Sequence, residues 1–216
     1  MKARIAQIMI AFSVVGAIGL FVAGTNPSSQ RARGSDQLTL REQAERTGGN
    51  VIVKDSSYNH ASYNNVKTLV QDSATILTGV VLSNECVLTA DGMNVNTNYR
   101  VRIDEVLKGT GKRGQMIAVN SPGGLKVFTN TTYAVVQIPD FRPPRNGRRY
   151  AFFLDAGSVA GTFKMTAGFQ GSFELPTDGS VVKSSDRRTE KASSGNLRGR
   201  DVSSFLADLR ASVIKH

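Results

Sequence analysis

The stretch VLKGTGKRGQ, Val106 to Gln115, places Gly109, Gly111 and Gly114 at the spacing G-x-G-x-x-G, and its reading decides the fold. In a dinucleotide-binding fold that spacing follows a strand, opens a helix at the third glycine and is answered about 20 residues on by an acid for the ribose. Only the strand is present. Gly114 is followed by QMIAVNSPGG, a second strand-like run that ends at Pro122-Gly123-Gly124, and no Asp or Glu occurs before Asp140. The glycines therefore read as a hairpin connection with Lys112 and Arg113 solvated at its tip, and no dinucleotide is expected there.

The strand before the turn, YRVRIDEVL, alternates Tyr99, Val101, Ile103 and Glu105 with Arg100, Arg102, Asp104 and Val106, so one face is mostly apolar and the other mostly charged. The slip in that pattern at Glu105-Val106 predicts a β-bulge. Asp104 and Glu105 are adjacent in a strand and should point to opposite faces, the wrong geometry for shared acid and base work, and they read as solvated or ion-paired side chains.

Outward from this point the chain reads as strand after strand, from the β-branched run Ala74–Leu82 through ECVLTA, QMIAVNS, GLKVFTN, YAVVQIP, RRYAFFLD, GTFKMTAG and GSFELP to GSVVKS. Asp91-Gly92 and Asp178-Gly179 mark turns, while Pro122-Gly123-Gly124 and Pro143-Pro144 cannot continue a central strand. Short strands at this spacing predict an all-β barrel or sandwich over residues 74–183. Before it, residues 38–73 read as a helical and loop segment. That segment holds a short helix stopped by Gly48-Gly49, the strand fragment VIVK, and a helical pattern at Val66, Leu69 and Val70. After it, residues 184–200 read as a basic linker. Residues 201–216 then read as a C-terminal helix capped by Asp201, whose stripe Phe205, Leu206, Leu209 and Val213 should pack on the barrel.

The run ATILTGVV with YRVRIDEVLKG, followed by G-x-x-I-A-V and later RNGRRYAFFL, resembles bacterial exported proteins with an OB-like barrel. It is also similar to the netrin-like module of tissue inhibitors of metalloproteinases, which shares a strand ending in V-L-K-G. The resemblance spans residues 74–182 and implies an OB-like (netrin-like) closed or partly open barrel with short flanking helices. In the inhibitor family an N-terminal cysteine meets the protease zinc and disulfides staple the barrel. Here the one cysteine, Cys86, lies mid-chain, so neither the disulfides nor the inhibitory mechanism carries over.

At the N-terminus, Lys2 and Arg4 precede an uncharged run from Ile5 to Ala23, with Val22 and Gly24 three and one residues before Thr25. Residues 1–24 thus read as a signal peptide or, uncleaved, as an anchor through residues 5–23, and residues 25–37 as a tether. The chain is expected to be exported: periplasmic, extracellular or held on the outer face of the inner membrane. Cys86, beside Val87 and Leu88 in NECVLTA, reads as a small buried strand residue.

The 27 Lys and Arg against 17 Asp and Glu give a net charge of +10, which favours acidic partners. Catalytic parts are hard to find. His60 and His216 stand far apart, Cys86 has no partner spacing for a metal, and no G-x-S-x-G elbow, P-loop or S-x-x-K is present. No metal and no cofactor are expected. The most suggestive polar cluster is PDFRPPRNGRRY, where Arg142, Arg145, Arg148 and Arg149 lie beside Phe141 and Tyr150, a composition suited to phosphate, carboxylate or a stacked ring. AGFQGSFELP, by contrast, reads as a β-bulge between strands. The expected function is a non-enzymatic binding or interaction module of the cell envelope, its partner an envelope protein or anionic polymer. An envelope hydrolase with an active site not visible in the motifs is the alternative, and the oligomeric state stays open.

Overall fold

A computed structural model describes residues 37–55, 63, 65–157, 161–187 and 200–214. The expected signal or anchor, nearly all of the tether, His60, His216 and residues 188–199 of the basic linker lie outside the described residues. Among the described residues no helix is long and apolar enough to cross a membrane.

The chain opens with α1 (Leu40–Thr47), β1 (Asn50–Lys54) and α2 (Val66–Asp72). Strands β2 (Thr75–Leu88), β3 (Val95–Lys108), β4 (Met116–Pro122), β5 (Gly124–Val127), β6 (Tyr133–Gln137), β7 (Arg149–Ala156), β8 (Thr162–Met165), β9 (Ser172–Glu174) and β10 (Lys183–Ser184) follow, and α3 (Val202–Ile214) ends it. Local chemistry sets the helix ends. Thr39 and Glu42 form a reciprocal capping box at the start of α1, and the side chain of Asp201 accepts the Ser204 N–H at the start of α3.

The fold is mostly β and holds two sheets. In the larger, β7, β2, β3 and β4 are consecutive antiparallel neighbours, β4 pairs in parallel with β8, and β8 returns antiparallel to β7, so the pairings run round in a ring. β9 and β10 extend it beyond β7. The smaller sheet has the order β1-β6-β5. Here the structure differs from a barrel confined to residues 74–183, because β5 and β6 leave the ring and pair with β1, the VIVK fragment of the preceding segment. The turn at Pro122-Gly123-Gly124 makes the departure: proline has no N–H to continue the ladder, and the chain changes sheets within two residues.

VLKGTGKRGQ is the connection between two antiparallel strands, as the missing helix implied: the Ile103 N–H donates to Gln115 O and the Gly114 N–H donates to Ile103 O across the neck of the turn. Lys108 has a use that the glycine pattern hides. Its ammonium donates to the carbonyls of Val70 and Gln71 at 2.7 and 3.1 Å, satisfying the open end of α2. The bulge expected at Glu105-Val106 falls on either side of that pair, where Asp104 and Leu107 have no opposite residue in β2. The alternation of buried and open positions in β3 stops at the same place. Both acids are ion-paired, Asp104 with Arg149 at 3.0 Å and Glu105 with Arg210 of α3 at 2.8 Å.

Two cores explain the unbroken apolar runs. Leu77, Tyr99, Val101, Phe152 and Leu154 fill the ring, whereas their sequence neighbours Ile76, Ala151 and Phe153 face outward and are covered by Leu69 and Val70 of α2 and Phe205, Leu206 and Leu209 of α3. β7 and the first half of β2, Thr75–Val81, are buried on both faces, so their apolar residues run on without polar alternation. α3 packs back on the ring through the expected stripe.

Candidate functional site

The loop from β6 to β7 is rich in proline, and Pro139, Pro143 and Pro144 have no N–H to offer a neighbouring strand. It is held from below instead. Phe141 bridges to Asp186, Arg142 N–H donates to Ser185 O at 2.8 Å, and Arg187 N–H donates to Asp140 O at 2.9 Å. Under this seam Ser172 and Ser185 hydroxyls meet at 2.8 Å, and the buried Gln170 amide donates to the buried Asp186 carboxylate at 3.0 Å. Ser184, Ser185 and Asp186 are thus core residues of the seam, and the polar stretch read as a linker from residue 184 begins later. Polar side chains at these positions are not loop composition; they satisfy one another in the interior. GFQG, expected as a bulge, is a short 3-10 turn whose Phe169 ring packs on Phe141 at 5.4 Å.

Between this loop and the β9–β10 pair lies a cleft of about 700 Å³. Among the described residues, Arg142, Arg145, Lys183 and Arg187 line it, with Glu174 as the one carboxylate. Arg145 Nη2 reaches both Glu174 oxygens, at 3.1 and 3.3 Å, and its backbone N–H donates to the Tyr150 hydroxyl at 2.9 Å. Burial pushes the Tyr150 hydroxyl above its ordinary range, so it stays neutral as an acceptor. Asn84 and Asn146 meet at 3.1 Å across the mouth. Four cations against one carboxylate leave the cleft electropositive, a field that attracts carboxylates and phosphates.

The four arginines singled out in the sequence do not act together. Arg142 and Arg145 line the cleft; Arg148, just before β7, is exposed and is not part of the lining. Arg149 faces away, bonded to Asp104 at 3.0 Å and Thr78 at 3.2 Å beneath α3. Lys183 and Arg187 take their place. Nothing local marks those two, which are brought to the loop by the Phe141–Asp186 bridge and the backbone bonds on either side of it.

A second groove of about 630 Å³ lies against the same loop, with Asn84, Phe141, Pro143 and Pro144 lining both. Its walls are largely apolar, including Tyr99, Val136, Ile138 and Pro139. Cys86 opens into it half-buried rather than buried, its sulfur 3.4 Å from the Thr97 hydroxyl, which in turn donates to Gly123 O at 2.6 Å. Among the described residues no three His, Cys, Asp or Glu side chains gather to hold a metal ion. No protein-family model matches the chain, and no curated protein matches it in sequence.

Proposed function

We propose that this chain is an exported, non-enzymatic binding module of the cell envelope, an OB-like barrel that takes an anionic partner in the cleft beside Phe141–Pro144. The convergence of Arg142, Arg145, Lys183 and Arg187 around a single carboxylate carries the reading. The barrel assignment draws on the ring of strands, a Greek-key order with one parallel pair, β4 with β8. Export draws on the uncharged run from Ile5 to Ala23 behind Lys2 and Arg4.

The test is retention on a phosphate-bearing polymer matrix across a salt series, with three proteins compared. Arg145→Ala/Lys183→Ala should elute at markedly lower salt than the unaltered chain, and Arg113→Ala/Arg148→Ala, altered at two exposed positions outside the cleft, should elute close to it although it also loses two cations. Equal losses from both would assign retention to the overall charge of +10 and overturn the cleft.

A further inference from the structure

The segment Phe141–Pro144 is a wall with a basic cleft on one side and an apolar groove on the other, and Asn84 lines both. We propose that the two form one composite site for an anionic amphiphile, a single alkyl chain ending in a phosphate-type headgroup. This rests on the anionic reading of the cleft and adds the groove to it. The headgroup lies among Arg145, Lys183 and Arg187, where charge-assisted hydrogen bonds favour an oxyanion. The chain lies in the groove over Cys86, Ile138 and Pro139.

Charge and polarity argue for this occupant over a purely polar anion. The groove has the volume of a small-molecule site and the usual make-up of one, apolar walls with a few polar groups such as the Thr97 hydroxyl and the Asn84 amide. Proline and glycine supply much of its wall, including Pro122, Gly123, Gly124 and Pro139, and these residues lose little or no side-chain entropy when a ligand arrives. A rigid apolar groove next to four cations presents the two ends of an amphiphile with the two environments they require.

Cys86 is the chain's only cysteine, so a thiol reagent reports on the groove alone. Octyl phosphate, methyl phosphate and octanol, each below any micellar concentration, are titrated into the full chain by calorimetry and tested for slowing alkylation of Cys86. Octyl phosphate should bind at least about tenfold tighter than methyl phosphate, a gain of about 1.4 kcal/mol that the burial of a few methylenes supplies. It should also slow alkylation severalfold. Protein already blocked at Cys86 with N-ethylmaleimide should lose that gain while still binding methyl phosphate, a comparison that needs no substitution and carries no folding risk. Equal affinity for the two phosphates with unchanged alkylation would overturn the composite site and leave the anion cleft standing. Protection by octanol equal to that by octyl phosphate would also overturn it, by separating groove from cleft. Binding of neither phosphate would remove the anionic reading as well.

Discussion

The side-chain amide of Gln170 donates to the carboxylate of Asp186 at 3.0 Å, both groups being buried, while its carbonyl oxygen accepts the N–H of Tyr63 at 2.9 Å. One amide thereby joins three stretches of chain, and Asp186 precedes Arg187 of the cleft. Gln170→Leu removes a hydrogen bond from a fully buried carboxylate, an interaction whose loss costs about 1.5–3 kcal/mol. The expected result is a lower urea midpoint with an unchanged slope, together with weaker retention on anionic matrix because the seam beneath the cleft loosens. A midpoint equal to that of the unaltered chain would show that Gln170 does not hold the seam.

Two glycines of VLKGTGKRGQ, Gly109 and Gly114, should respond differently to alanine. Gly109 has φ 84°, and a Cβ there would lie 2.7 Å from both Ala74 O and the Thr75 hydroxyl. Gly114 has φ 83°, yet a Cβ there meets nothing within 4 Å. Gly114→Ala is expected to cost about 1–2 kcal/mol, the left-handed penalty alone. Gly109→Ala should cost clearly more, since main chain must also move. Thermal melts of the two variants check the order, and a Gly114→Ala variant less stable than Gly109→Ala would contradict it.

Asp201 links stability to pH. Its carboxyl is held well below the usual carboxylate range by the Ser203 hydroxyl first, then by the Ser204 N–H and hydroxyl. A carboxylate depressed in the folded state adds stability above its unfolded value of about 4 and loses that contribution as the pH falls toward the folded value. Asp201→Ala should therefore melt lower by roughly 3 °C at pH 7, the size expected for a lost helix cap. The gap should narrow steadily below about pH 4. A gap constant from pH 7 to pH 2 would mean that the charge plays no part.

The hydroxyl of Thr166 is buried with no hydrogen-bond partner among the described residues. Valine has nearly the same shape and no donor or acceptor to desolvate. Thr166→Val is expected to raise stability by about 1 kcal/mol, read as a rise of roughly 2–4 °C in Tm. A fall in Tm would indicate that the hydroxyl is satisfied in solution.

Features encoded within a few residues could be read directly from the chain. Gly48 and Asp201 delimit helices because capping is a local hydrogen-bond problem, and Gly109 to Gly114 declare a turn because a helix would need a different continuation. The bulge was legible as a slip in alternation, but its position was not, because register depends on which residues of β2 lie opposite. The cleft was half legible. Arg142 and Arg145 advertise themselves beside prolines and aromatics, whereas Lys183 ends an ordinary strand pattern and Arg187 sits in a polar stretch that resembles a linker until Gln170, Ser172 and Asp186 are seen to bury its start.

By itself, then, the sequence determined the β-rich class, the turns, the caps and the packing stripe of α3, all of which follow from periodicity and short-range chemistry. Tertiary structure alone decided that β5 and β6 leave the ring for β1, that Arg149 turns to Asp104, and that four cations from two separated segments share one cleft. The reason is physical: pairing between distant strands is chosen by the burial and hydrogen bonding of the whole chain, and no local window carries that sum.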